Sequence, residues 1–229
     1  MPDFFSGFSF SLDFLLQLLS IVAIDVVLAG DNAVVIALAV RNLPPRSRTK
    51  GIAVGAGAAV VLRVALTFVA AQLLDLPFLK LAGGLLVAVI AVKLFAEGDA
   101  ADKEKSCTTF LQAITTIVAA DLVMSTDNIL AVAGASRGNL ALLIFGLGLS
   151  IPFVVFAANA LSRLMDRFPI IIAIGAAVLG KVAAEMILTD AWVASLARPG
   201  QTAVYAGELV GAVGVVVVGR FWARRLARA

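Results

Sequence analysis

One eight-residue phrase is written twice in this chain, each time inside an apolar run long enough to cross a bilayer. The first copy is Asp25-Val-Val-Leu-Ala-Gly-Asp31-Asn32, and the second, 96 residues on, is Asp121-Leu-Val-Met-Ser-Thr-Asp127-Asn128. Asp25 aligns with Asp121, Asp31 with Asp127, Asn32 with Asn128 and Arg41 with Arg137, all without a gap. An Asp at the centre of a membrane helix costs roughly 2.5–3.5 kcal/mol even on insertion scales. Four of them in a matched pattern point to a use that offsets the cost.

The rest of the chain fits a membrane setting. Of 229 residues, 62% are hydrophobic and 14% charged, where soluble domains run near half and a quarter. Seven apolar runs are predicted as spans: Phe14–Val40, Ile52–Leu74, Phe78–Phe95, Phe110–Ala135, Leu140–Leu161, Ile170–Leu188 and Val204–Trp222. Each reaches the roughly 17–25 residues that a spanning helix needs. The period-two alternation of a membrane barrel is absent. The expected fold is therefore all-α and polytopic, a single transmembrane domain with no separate soluble unit. No basic segment precedes the first run, so it is expected to remain as a span rather than act as a signal peptide.

Lys and Arg set the expected orientation. Twelve fall on one side of the spans: Arg41, Arg46, Arg48, Lys50, Lys103, Lys105, Arg163, Arg167, Arg220, Arg224, Arg225 and Arg228. Three fall on the other, Lys80, Arg137 and Arg198. By the positive-inside rule the N-terminus is outside and the C-terminus cytoplasmic, in the cell membrane. The net charge of +3 lies mainly in these loops and implies no nucleic-acid partner. Residues 14–97 and 107–188 form two three-span repeats, joined by the polar stretch Gly98 to Ser106, with 204–222 as an additional helix. Three spans per unit invert the second copy, a recurrent plan of secondary transporters with a midplane site.

Helix geometry constrains the phrase. Residues seven apart share a face at about 100° per residue, so Asp25 lies with Asn32, and Asp121 with Ser125 and Asn128. Asp31 and Asp127, six residues on, point about 120° away. Either the helix is interrupted near Ala29-Gly30 and Ser125-Thr126, which would bring both carboxylates to one point, or the second Asp faces a different neighbour; interruption is the favoured expectation. The donors are carboxylate, amide and hydroxyl oxygens, which suit manganese, magnesium or calcium. No histidine and only Cys107 are present, which excludes a multi-thiolate or imidazole metal centre. Met124 reads as an ordinary core residue. Within the spans, Asp25, Asp31, Asp121, Asp127, Glu97 and Glu185 outnumber Arg63, Lys93 and Lys181. Unpaired carboxylates in low dielectric protonate or take a cation. Arg63 is expected to partner an Asp. Lys93 with Glu97 and Lys181 with Glu185 read as i,i+4 pairs, and Gly207-x-x-x-Gly211 as close helix packing. Glu208 has no role legible from sequence.

The paired phrases, set in a two-copy, seven-span chain, resemble the TerC family of integral membrane proteins, in its compact YjbE-like branch, over roughly Phe14 to Phe221. The resemblance implies a divalent-metal exporter, most often linked to manganese, and no enzyme. It implies that Asp25, Asp31, Asn32, Asp121, Asp127 and Asn128 bind the transported ion, with no catalytic residue and no resident cofactor. A proton is the expected counter-ion. The family name refers to tellurite resistance, which the lone Cys107 does not support. Three rivals are an exporter of an organic solute such as an amino acid, an intramembrane aspartyl hydrolase, and an assembly partner that delivers metal to secreted proteins.

Overall fold

The computed structural model describes residues 12–73, 78–99, 109–136 and 139–226, with the side chains of all of these except 68–73, 98–99, 126–131, 133–134 and 226. Backbone polar groups at membrane depth must be satisfied within the protein, and the helix does this segment by segment. The described residues form eight helices and no strand: α1 (Leu12–Val40), α2 (Pro45–Leu73), α3 (Leu79–Asp99), α4 (Phe110–Ser136), α5 (Leu140–Arg167), α6 (Ile170–Thr189), α7 (Ala191–Ala197) and α8 (Gln201–Leu226). Among these, α1, α2, α3, α5, α6 and α8 are long and apolar enough to cross a membrane. In α4 the qualifying apolar stretch is the shorter Phe110–Ser125. Each of the seven long helices overlaps one of the seven predicted spans, although α2 begins at Pro45, before the expected Ile52, and α5 runs to Arg167, past the expected Leu161; the short α7 was not foreseen.

Contacts fix the helix directions. Val40 and Phe110 converge on Gly51, while Asp25 and Asp121 converge on Arg63, so α1 and α4 run antiparallel. At the start of α2, Arg48 pairs with Asp166 near the end of α5, and Thr49 donates to Asn159 Oδ1 at 3.1 Å. Further along α2, Val60 and Val64 join the apolar cluster that holds Leu142, Leu143 and Leu147 early in α5, so these helices are antiparallel too. The same holds for α3 and α6, where Leu81 meets Asp190 and Gly84 meets Ala183. Besides these three pairs, α1 packs along α5 and α2 along α4. Exchanging α1–α3 for α4–α6 turns this set of contacts into itself. Ile21 and Ile117, one turn before Asp25 and Asp121, show the exchange locally: Ile21 fills the space over Gly146 of α5, and Ile117 that over Gly55 of α2.

The tightest crossing lies between α6 and α8. A Cβ on Gly211 would stand 2.4 Å from the Gly180 carbonyl oxygen, and one on Gly180 would stand 2.4 Å from that of Gly211. Backbone thus meets backbone, as the Gly207-x-x-x-Gly211 spacing implied. Glu208 gains a role here: its Oε2 lies 3.3 Å from Lys181 Nζ, tying α8 to α6. The expected i,i+4 pairs are also present, Lys181 with Glu185 at 3.6 Å and Lys93 with Glu97 at 3.9 Å.

Asp190, only 1% exposed, joins two helix starts. Its Oδ1 accepts from Trp192 N at 3.0 Å, capping α7, and its Oδ2 accepts from Leu81 N at 3.1 Å in the first turn of α3. Both termini carry partial positive charge that a carboxylate satisfies. Asp190→Ala is expected to cost about 2 kcal/mol, the upper end for a lost N-cap. Unfolding of the purified protein in mixed micelles checks this, and an unchanged midpoint would remove the dual-cap role.

Candidate functional site

The two copies of the phrase meet at Arg63. Asp25 lies near the middle of α1, Asp121 near the middle of α4, and Arg63 reaches between them from α2. Arg63 Nη1 donates to Asp25 Oδ1, and its Nη2 donates to Asp121 Oδ1 at 2.7 Å. Ser125 Oγ accepts from Nη2 at 2.8 Å and from Nε at 3.1 Å. Planar guanidinium geometry makes this fork possible, and an ammonium lacks it. From α5, the Ser150 hydroxyl donates to Asp25 Oδ2. Asp25 and Ser150 are 1% and 0% exposed, and Arg63 4%.

Asp25 is thereby satisfied at both oxygens. Asp121 is not: its Oδ2 is buried without a hydrogen-bond partner. Asn32, two turns further along α1 from Asp25, is 4% exposed, and neither atom of its side-chain amide has a partner. Asp25, Asn32, Arg63 and Asp121 line one cavity of about 20 Å³, lined otherwise by apolar side chains such as Ala56 and Ile151. That volume admits about one water-sized particle. A buried, unpaired carboxylate oxygen and a buried, unpaired amide are each costly. Here both border the same small space. Two carboxylates against one guanidinium also leave the cluster one negative charge in excess.

The sequence reading is corrected in one respect. Both α1 and α4 are continuous helices through Ala29-Gly30 and Ser125-Thr126, so the expected interruption is absent. Gly30 has open space around it and needs no special backbone. Because the helix stays regular, Asp31 remains about 120° from Asp25. It is half-buried, accepts a hydrogen bond from Asn32 N at 2.8 Å, and does not line the cavity. The Asp127 and Asn128 side chains lie outside the described residues. Of the six predicted ligands, the structure therefore brings Asp25, Asn32 and Asp121 together. Among the described residues no group of three or more His, Cys, Asp or Glu is placed to hold a metal. Met124 is buried in the apolar core, as expected.

Arg63 exceeds its expected role by holding both repeats' first Asp. Ser150 escaped the sequence reading altogether. Its one signal is a hydroxyl in the apolar stretch Leu147-Gly-Leu-Ser150-Ile-Pro152, and nothing in the sequence aims it at Asp25.

Membrane-spanning helices in antiparallel pairs around a buried ionic cluster define a polytopic membrane protein with a polar site in its interior. Residues 10–227 match the model of the integral membrane protein TerC family, and the chain belongs to that family. It is 42% identical over 178 residues to the uncharacterized membrane protein YjbE of Bacillus subtilis (strain 168), covering 78% of this chain and 82% of that protein. It is 28% identical over 160 residues to the uncharacterized membrane protein YceF of the same organism, covering 66% of this chain and 62% of YceF. No solved structure matches the chain significantly.

Proposed function

We propose that this TerC-family protein is a transporter rather than an enzyme, and that it carries a divalent metal ion, manganese above others, out of the cell. The observation that carries the reading is the interior cavity. An unpartnered Asp121 oxygen and an unpartnered Asn32 amide border a space of about 20 Å³ beside Asp25, in a cluster one positive charge short. Hard oxygen donors and an excess of negative charge favour a small hard cation. Asp25, Asp121 and Asn32 are the ligands proposed from the described residues. Asp31, and Asp127 and Asn128 of the second phrase, extend the set in other conformations of the cycle. The ion is cargo, and the protein keeps no resident cofactor.

Transport proceeds by alternating access, with residues 14–97 and 107–188 as inverted halves that rock about the α1–α4 contact. The orientation is N-terminus outside and C-terminus cytoplasmic, and the outward direction follows the family resemblance. Protons are the proposed counter-ion, because carboxylates vacated by metal take protons. Two of the rivals fare less well against the site. A cavity of about 20 Å³ has no room for an amino acid. For an aspartyl hydrolase, the guanidinium of Arg63 occupies the position between two Asp where a shared proton would sit.

The test is flux into and out of proteoliposomes that hold only this protein. Mn²⁺ should cross well above the rate in protein-free vesicles, with amino acids at background. Amino-acid flux with no Mn²⁺ flux would replace the reading.

A further inference from the structure

The same cavity raises a question of charge that the transport cycle must answer. When no ion is bound, Asp25 and Asp121 would face one another unpaired in the interior, yet the empty protein must still rearrange. We propose that Arg63 is a tethered substitute for the transported cation: it bridges the two halves' carboxylates when the site is empty, and it withdraws when the ion arrives. This rests on the reading of the cavity as a cation site.

Three observations carry it. First, Arg63 comes from α2, not from either phrase, and its fork touches α1 and α4 at once. It therefore occupies the position in which a divalent ion would join the two halves. Second, its hold is unequal. Asp25 is bound at both oxygens, by Arg63 and Ser150, whereas Asp121, which also lines the cavity, gives Arg63 only Oδ1 and has no partner at Oδ2. An ion entering beside Asn32 thus finds one carboxylate oxygen and one amide oxygen available before Arg63 moves. Third, Ser125 supplies a neutral acceptor for Nε and Nη2, so the guanidinium keeps hydrogen bonds as it yields Asp121.

Competition between Arg63 and the ion has a signature that a merely structural arginine lacks. A ligand that must displace an internal competitor binds with an apparent affinity reduced by that competition. Removing the competitor strengthens binding, and it slows the cycle because the empty site is left with unpaired carboxylates. The experiment uses the full chain in detergent and in proteoliposomes, with Mn²⁺ as the probe, comparing wild type with Arg63→Gln, Arg63→Lys and Asp121→Asn. Arg63→Gln should bind Mn²⁺ about 10-fold or more tightly than wild type, while its flux falls. Arg63→Lys keeps the charge and the fold but loses the fork, and it should shift both quantities in the same directions by less. It decides the matter if Arg63→Gln is not recovered folded. Binding no tighter in the folded Arg63 variants, with Asp121→Asn still losing it, overturns the substitution role and leaves the cation site standing. No Mn²⁺ binding by wild type, or full binding by Asp121→Asn, overturns the cation site and this inference with it.

Discussion

Asp121→Asn should reduce Mn²⁺ flux by about 100-fold or more, since even residues that only support a metal ligand typically cost 10–100-fold in affinity or activity. Asp121 is the more telling of the two carboxylates. Asp25 is fully engaged by Arg63 and Ser150, so its loss disturbs packing and ligation together. Asp121 has one oxygen pledged to Arg63 and one buried without a partner. The Asn variant keeps the shape and removes the cluster's excess negative charge, which leaves Arg63 paired with Asp25 and bonded to Ser125. The fold should therefore persist, and membrane insertion measured beside flux separates loss of the ligand from loss of the protein. Flux at the wild-type level in a well-inserted Asp121→Asn protein would exclude Asp121 from the ion's path.

Gly211→Leu should have the largest effect on stability. Its first added atom would lie 2.4 Å from the Gly180 carbonyl oxygen and 2.6 Å from Ala184 Cβ, and backbone cannot rotate aside. The α6–α8 crossing must open, which also draws Glu208 away from Lys181. Overpacking of this kind costs typically 1–3 kcal/mol and more where the obstacle is rigid, so about 3 kcal/mol or more is expected. Gly214, three residues on, has nothing within 4 Å of its would-be Cβ. Gly214→Leu should stay within about 0.5 kcal/mol of wild type. Unfolding of both variants in mixed micelles makes the comparison, and equal midpoints would deny that backbone contact holds α8 in place.

The number and order of the long helices were legible in the sequence because the bilayer imposes them. An apolar run of about 20 residues has few alternatives. The meeting of Asp25 with Asp121 was legible for a related reason: a gapless repeat with three spans per copy sets equivalent residues across a common axis. The place of Asp31 was not. Its six-residue offset left two solutions open, a broken helix or a turned-away side chain, and local composition at Ala29-Gly30 suggested the first. The helix stays whole because nothing crowds Gly30 or draws its backbone out of the ladder. Ser150 was hidden for the opposite reason, since its partner lies 125 positions away and no pattern links them. Arg63 was visible as a buried charge in need of an acid, yet only the packing of α2 against α4 and α1 shows that it serves two.

The central claim is that a small hard cation sits where the two phrases meet. Crystals grown with Mn²⁺ and measured at the manganese absorption edge test it directly. The account predicts one anomalous peak in the cavity, roughly 2.0–2.6 Å from oxygens of Asp121 and Asn32 as hard-cation bonds require, with the Arg63 guanidinium drawn off Asp121. A peak only at the protein surface, with Arg63 still bridging Asp25 and Asp121, would contradict it.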